Sequence, residues 1–214
     1  MKVGILWDLD GTLLDTLEDL ADAVNYALCQ FGYPQRTLEE VRRAVGGGAK
    51  RLIRQVVPEG TDPQPVYECF WNYYSEHCQD KTAPYPGVVE VLEKLRHYPM
   101  AVVSNKPDGA VKPLCRQHFP GIYALGERPD CPRKPAPDMV MKAMADIGVE
   151  TCIYVGDSEV DVLTAKNAGV PCLSVLWGFR DRDEIEAAGG MHFCDRVEEL
   201  ASILEEMIRD LTAQ

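Results

Sequence analysis

Short apolar runs separated by helical patterns constrain this fold more than any other feature of the sequence. Five runs have the length and composition of buried strands, and most are followed by turn or capping residues and then by a helical pattern. This alternation predicts an α/β fold in which an open parallel sheet carries helices on both faces. Ligands of such sheets bind beyond the carboxyl ends of the strands. The five predicted strands are Val3–Leu9, Met100–Ser104, Ile122–Leu125, Cys152–Gly156 and Pro171–Trp177.

The connection after the first predicted strand is too long for a single helix. Roughly 90 residues separate that strand from the next, whereas a crossover with one helix needs about a dozen or more. We therefore predict a small all-helical domain, the cap, at residues 16–82. The core domain would consist of residues 1–15 and 83–214, with hinges near Leu14–Thr16 and Ala83–Gly87.

Helix signals recur within the cap. Apolar residues at helical spacing begin at Leu17 and stop at Gly32, and Thr37 begins a capping-box pattern that ends at Glu40. Asp62 precedes a proline, as is typical of a helix N-terminus. The aromatic residues of this last helix are expected to form the cap's own core rather than a ligand surface; they are Tyr67, Phe70, Trp71 and Tyr74.

Charge and composition restrict the partners. The 214 residues carry a formal net charge of −12, and their lysines and arginines form no long basic tract, so nucleic acid and membrane surfaces are disfavoured as partners. A small phosphorylated metabolite remains possible if cations are placed locally. No apolar run approaches the roughly 18 residues that a membrane span needs. The four histidines lack ligand spacing, which argues against zinc. We expect a cytoplasmic protein, either a monomer or a homodimer.

Two carboxylates follow the first predicted strand. Asp8 and Asp10 would point to one side of an extended chain, because side chains alternate with a period of two. A simple turn at Asp10-Gly11 is the alternative, and the glycine comes too early for a calcium loop of the EF-hand type. Polar residues also follow later predicted strands: Ser104 and Asn105, Lys134 between prolines, and Asp157 with Asp161 four residues further on.

This ordered set, D-x-D-G-T, S-N, K-P-x-P and G-D-S-x-x-D, resembles the haloacid dehalogenase-like superfamily, and within it the phosphoglycolate phosphatases. The resemblance covers the whole chain. It implies a Rossmann-like parallel core and a helical cap inserted between the first two motifs. It also implies that Asp8 is a nucleophile forming an aspartyl-phosphate and that Asp10 is a general acid and base. Dehalogenases lack the acid at the position of Asp10, and transport ATPases carry threonine there.

The resemblance further implies a magnesium site and a phosphate site. Mg²⁺, which prefers oxygen ligands, would be held by Asp8, the main-chain carbonyl of Asp10, and Asp157. Asp161 would reach the ion or orient its waters, or else act only as a helix N-terminal acid. The phosphoryl oxygens would be held by Ser104, Asn105 and Lys134, and Lys134 would also pair with Asp8. Ser104 as a helix cap and Lys134 as a solvated lysine, with Lys106 as its rival, remain alternatives.

The glycine-rich stretch of the cap is a candidate substrate contact. Gly46-Gly47-Gly48 precedes a predicted helix that carries Lys50, Arg51 and Arg54, and exposed amides at a helix start can hold an anion. We predict that Gly47, Lys50 and Arg51 meet the substrate. An ordinary interhelical loop with solvated basic residues is the alternative.

The predicted function is Mg²⁺-dependent hydrolysis of a small phosphomonoester, with 2-phosphoglycolate as the first candidate. A sugar phosphomutase similar to β-phosphoglucomutase would use the same motifs, and a pyrophosphatase or nucleotide phosphatase is also open. A non-catalytic binding protein is the alternative from another class, because a fold alone does not establish activity.

Overall fold

The computed structural model describes residues 1–213. Its core is a six-stranded sheet in the order β5-β4-β1-β6-β7-β8, in which every neighbouring pair is parallel. The predicted α/β class and parallel sheet are thereby confirmed. The strands are β1 (Val3–Trp7), β4 (Met100–Pro107), β5 (Tyr123–Glu127), β6 (Thr151–Gly156), β7 (Cys172–Val175) and β8 (His192–Cys194). Sequence reasoning missed β8, which has only three residues and no apolar run.

Helices cover both faces of the sheet. They are α5 (Val88–Lys94), α6 (Asp108–His118), α7 (Asp138–Ile147), α8 (Glu159–Ala168), α9 (Arg182–Ala187) and α10 (Val197–Thr212). In β1, Ile5 and Trp7 pack on the face covered by α5, α6 and α10, whereas Leu6 packs on the face covered by α7 and α8. This alternation follows from the two-residue period of a strand. The strand is buried on both faces, which explains its continuous apolar sequence.

Residues 16–82 contain four helices and all but one of the buried residues of a second hydrophobic cluster, which also includes Phe179 of the core. The helices are α1 (Leu17–Gln30), α2 (Leu38–Ala44), α3 (Ala49–Val56) and α4 (Pro63–His77). The structure confirms the predicted capping box of Thr37 with Glu40 and the N-cap role of Asp62. No helix among residues 1–213 is long and apolar enough to cross a membrane.

A two-stranded antiparallel ribbon lies where the cap joins the core. It pairs β2 (Leu14–Asp15) with β3 (Ala83–Pro84). The carboxylate of Asp19 accepts hydrogen bonds from the backbone N–H groups of Lys81 and Thr82. These bonds hold together the two chain segments that connect the cap to the core. Both predicted domain boundaries fall at this ribbon, and the second hydrophobic cluster supports the division that we propose.

Candidate active site

Three buried carboxylates meet at the carboxyl ends of the central strands. Asp8 follows β1, Asp157 follows the neighbouring β6, and Asp161 lies in the first turn of α8. One carboxylate oxygen from each residue lies within 4.8 Å of the others. Because β1 and β6 are parallel neighbours, their carboxyl ends place the first two acids side by side.

Lys134 supplies the positive charge within this group. Its Nζ lies 2.8 Å from Asp8 Oδ1 and 2.8 Å from Asp161 Oδ1, and it donates a hydrogen bond of 3.0 Å to the hydroxyl of Tyr154. Only 2% of its side chain is exposed. The alternative of a solvated surface lysine therefore does not describe this residue. The Lys134–Pro135 peptide bond is cis.

Burial and mutual repulsion perturb the acids. Burial raises the pKa of Asp8 against the opposing attraction of Lys134. Burial, reinforced by the charge of Asp161, raises the pKa of Asp157 to about 7. Burial alone would lower the pKa of Lys134, but Asp161 and Asp8 raise it above its ordinary value, so the ammonium persists. Three carboxylates sharing one ammonium leave the group short of positive charge.

Asp157 and Asp161 are oriented by different partners. Asp157 accepts hydrogen bonds from the Thr12 hydroxyl, at 3.0 Å, and from the Phe179 backbone N–H, at 2.8 Å. Asp161 forms a capping box with Ser158, whose hydroxyl lies 2.6 Å from Oδ2, while Oδ1 accepts from Lys134. Both oxygens of Asp161 are thus engaged by protein donors, as both oxygens of Asp157 are.

Asp10 lines the same cavity but pairs with a different cation. Its Oδ1 lies 2.8 Å from the Nζ of Lys106, which is buried at the end of β4. Sequence reasoning treated Lys106 only as a rival of Lys134. The structure instead brings both lysines into the site, one for each of the two acids after β1.

Ser104 and Asn105 also face the cavity. Ser104 lies within β4, and the next helix has Pro107 at its N-cap, so Ser104 does not cap that helix. Its Oγ accepts a hydrogen bond of 3.2 Å from the Lys106 backbone N–H. Asn105 Nδ2 donates to the carbonyl of Lys134 at 3.0 Å and thereby holds the lysine loop against β4.

The cap covers the cavity, whose volume is about 60 Å³. Gly46, Gly48 and Ala49 line it, whereas the predicted substrate residues Gly47, Lys50 and Arg51 are not among the lining residues. The Nζ of Lys50 lies 5.7 Å from the ring centroid of Tyr67. A helical start was recognisable from the sequence, but which side chains of that turn face inward depends on how the cap docks. Contact between these three residues and a substrate stays a prediction.

Sequence reasoning missed residues from two other segments. Phe179 and Arg180, in the loop after β7, line the cavity, and so do Trp71 and Tyr74 from α4. The position of Phe179 and Arg180 just beyond a strand's carboxyl end was a usable signal. The aromatic residues were expected to form only the cap core; Phe70 and Tyr74 do pack there, but α4 also forms a wall of the cavity.

Arg180 joins the core to the cap. Its guanidinium lies 2.9 Å from Glu159 and donates to the carbonyls of Arg42, at 3.1 Å, and Val45, at 2.5 Å. Arg42 donates in return to the carbonyl of Phe179. Because Phe179 N–H also holds Asp157, this loop contacts both the cap and the acid group.

Comparison with known proteins agrees with this geometry. A family model described as haloacid dehalogenase-like hydrolase matches residues 5–175. The chain is 35% identical to a phosphoglycolate phosphatase of Pseudomonas putida over 86% of this chain and 72% of the relative. It is 32% identical to one of Vibrio parahaemolyticus over 94% and 95% of the two chains. A crystal structure of a protein assigned as a phosphoglycolate phosphatase, from Lactobacillus delbrueckii, superposes with a TM-score of 0.89 at 35% identity, over 94% of this chain and 97% of that one.

Proposed function

This chain belongs to the haloacid dehalogenase-like hydrolase family and is a phosphatase, and from that premise we propose that Asp8 is its nucleophile, Asp10 its acid and base, and Mg²⁺ its cofactor. The observation that carries the proposal is the position of Lys134, whose ammonium lies between the carboxylates of Asp8 and Asp161. A carboxylate can attack an anionic phosphoryl group only where nearby cations neutralise the charge of both.

The reaction would take two steps on the enzyme. An oxygen of Asp8 attacks the phosphorus, the bond from phosphorus to the leaving oxygen breaks, and Asp10 donates a proton to that oxygen. In the second step water attacks the phosphorus of the aspartyl-phosphate while Asp10 accepts the water's proton. The bond to Asp8 breaks, inorganic phosphate leaves, and the Asp8 carboxylate is restored. Lys134 remains charged throughout and stabilises the phosphoryl oxygens.

The donor set fits Mg²⁺. Asp8 and Asp157 offer hard carboxylate oxygens close together. Burial, with repulsion from the neighbouring acids, raises the pKa of both, and a bound cation would favour their charged forms. A Cβ on Gly11 or Gly178 would collide with the Asp157 side chain, so glycine keeps room for this carboxylate. When bound, Mg²⁺ would neutralise negative charge on the phosphoryl group. We propose Asp8, Asp157 and the main-chain carbonyl of Asp10 as ligands, with Asp161 orienting the group.

The proposed substrate is a small alkyl phosphomonoester, with 2-phosphoglycolate as the first candidate. The names of the curated relatives support this choice. The cavity supports it too, because apolar residues of the cap enclose the space beside Lys106 and Arg180, and a small anionic leaving group suits that environment. Ser104 and Asn105 would hold the phosphoryl oxygens together with Lys134.

Phosphate release from a substrate panel tests the proposal. The panel contains 2-phosphoglycolate, β-glucose 1-phosphate, sugar 6-phosphates, nucleotides and pyrophosphate, each assayed with Mg²⁺ and with EDTA. We expect metal-dependent release from 2-phosphoglycolate that Asp8→Asn abolishes and that Asp183→Asn, at an exposed position on α9, preserves. Conversion of β-glucose 1-phosphate to the 6-phosphate without phosphate release, in the presence of an activating bisphosphate, would favour the mutase. Release that survives in Asp8→Asn would refute the assignment of the nucleophile.

A further inference from the structure

A chain of hydrogen bonds runs from the cap across the cavity to Asp10. The Nζ of Lys106 donates to the hydroxyl of Tyr74, on α4 of the cap, over 2.7 Å. The same Nζ lies 2.8 Å from Asp10 Oδ1. One lysine of the core is therefore bonded both to the cap and to the carboxylate that we propose as acid and base.

Lys106 depends on these two partners. Its side chain is only 3% exposed, and a buried ammonium is costly unless hydrogen-bond acceptors replace its hydration. Within residues 1–213, Asp10 and Tyr74 are the two side chains that accept from its Nζ. Nζ also lies 5.0 Å from the centroid of the Tyr74 ring, at a distance that allows a cation–π attraction. Burial alone would lower the pKa of Lys106, but Asp10 and Tyr74 raise it above its ordinary value.

The position of the Tyr74 hydroxyl is set by the cap. Tyr74 is 2% exposed and belongs to the hydrophobic cluster of the cap, where its ring stacks on Phe70 with centroids 5.3 Å apart. A side chain held in this way moves with α4 rather than with the core. If the cap moves away from the core, Lys106 loses an acceptor and gains access to water.

We propose that Tyr74 is a positioning residue that acts on Asp10 through Lys106, so that the acid and base of the core is correctly oriented only when the cap is closed. This inference rests on the proposed role of Asp10. A lysine has four flexible methylene groups, and removing one of two acceptors restores freedom to its ammonium. The carboxylate bonded to that ammonium then loses its fixed orientation, whereas proton transfer requires hydrogen-bond reach of the leaving oxygen.

The dependence on leaving group provides the test. Tyr74→Phe keeps the ring and removes only the hydroxyl. Tyr73→Phe is the matched control, because Tyr73 stacks on Tyr26 and His77 away from the cavity. Each variant is assayed for kcat/KM on the best alkyl phosphate of the panel and on p-nitrophenyl phosphate. The alkoxide of the former needs a proton as it leaves, whereas p-nitrophenolate is stable as an anion.

With Tyr74→Phe we expect kcat/KM for the alkyl phosphate to fall by about 10- to 100-fold, a part of the full effect of general acid catalysis. The fall in kcat/KM for p-nitrophenyl phosphate should stay below about threefold, since that leaving group needs little general acid catalysis. Lys106→Met should reproduce the pattern, and Tyr73→Phe should match the unmodified protein on both substrates. Thermal unfolding of each variant checks that it is folded.

Equal losses on the two substrates would overturn the inference, because a general defect in cap docking affects both reactions alike. Unchanged kcat/KM in Tyr74→Phe would also overturn it while leaving the proposed function intact. A failure of the unmodified protein to release phosphate from any substrate would overturn the inference together with the function on which it rests.

Discussion

Without metal, the stability of this protein should depend on pH through Asp157. The pKa of this carboxyl is raised from 3.8 to about 7, first by burial and then by the charge of Asp161. Since the folded state binds the proton more tightly than the unfolded chain, the stabilisation is complete below about pH 4 and is lost as the pH rises through 7. A shift of about three pKa units corresponds to a loss of about 4 kcal/mol in the free energy of unfolding.

Urea denaturation in EDTA between pH 4 and pH 8 measures this loss. Asp157→Asn is the comparison, because an amide cannot titrate and its oxygen can still accept from the Phe179 N–H. Between pH 4 and pH 8, the free energy of unfolding of the unmodified protein should fall by about 4 kcal/mol more than that of Asp157→Asn. At pH 8, Mg²⁺ at 100 times its Kd should restore about 2.7 kcal/mol to the unmodified protein. Parallel stability curves for the two proteins would refute the reasoning.

Three further outcomes follow from particular contacts. Lys134→Met should abolish turnover and lower the free energy of unfolding at pH 8 by about 3–5 kcal/mol, because it leaves buried carboxylates without their cation; undiminished stability in urea would contradict this. Gly11→Ala should weaken Mg²⁺ binding at least tenfold, or about 1.4 kcal/mol, as measured by calorimetry, because the new Cβ would displace the Asp157 side chain. Gly32→Ala is the control: its Cβ would meet open space, and this variant should bind Mg²⁺ normally. Arg180→Met should expose the cap junction to proteolysis, because two cap carbonyls lose their donor; an unchanged cleavage rate would argue against this role.

The strands and the acids that follow them were predictable because their signals are local. A fully apolar β1 followed by Asp8 shows in one short segment both that a buried strand ends and where its carboxylate lies. The pairing of β1 with β6 then brings Asp157 beside Asp8. The helix starts at Thr37 and Asp62 were predictable for the same reason, because the hydrogen bonds of a helix N-cap join residues only two or three positions apart.

The partner of Asp8 was predictable only through the family resemblance, which implied Lys134, and the partner of Asp10 was not predictable, because these lysines come from segments far from the acids in sequence. Asp10 and Lys106 are 96 residues apart, and nothing near either residue shows that they pair. The cap's contribution has the same origin. Its helices were evident from periodicity and capping residues, but whether Tyr74 or Lys50 faces the cavity depends on how these helices dock on the core.

The sequence by itself determined the α/β class, the insertion of a helical segment after the first strand, and the ordered acids and lysine that identify the family. These features were predictable because periodicity, helix N-caps and motifs each depend on residues close together in sequence. Only the tertiary structure decided that Lys106 pairs with Asp10, that both oxygens of Asp161 are taken by Lys134 and Ser158, and that Arg180 and Tyr74 link the cap to the site. The physical reason is that charges and hydrogen bonds act over a few ångströms of space, and only the packing of distant segments brings these groups within that range.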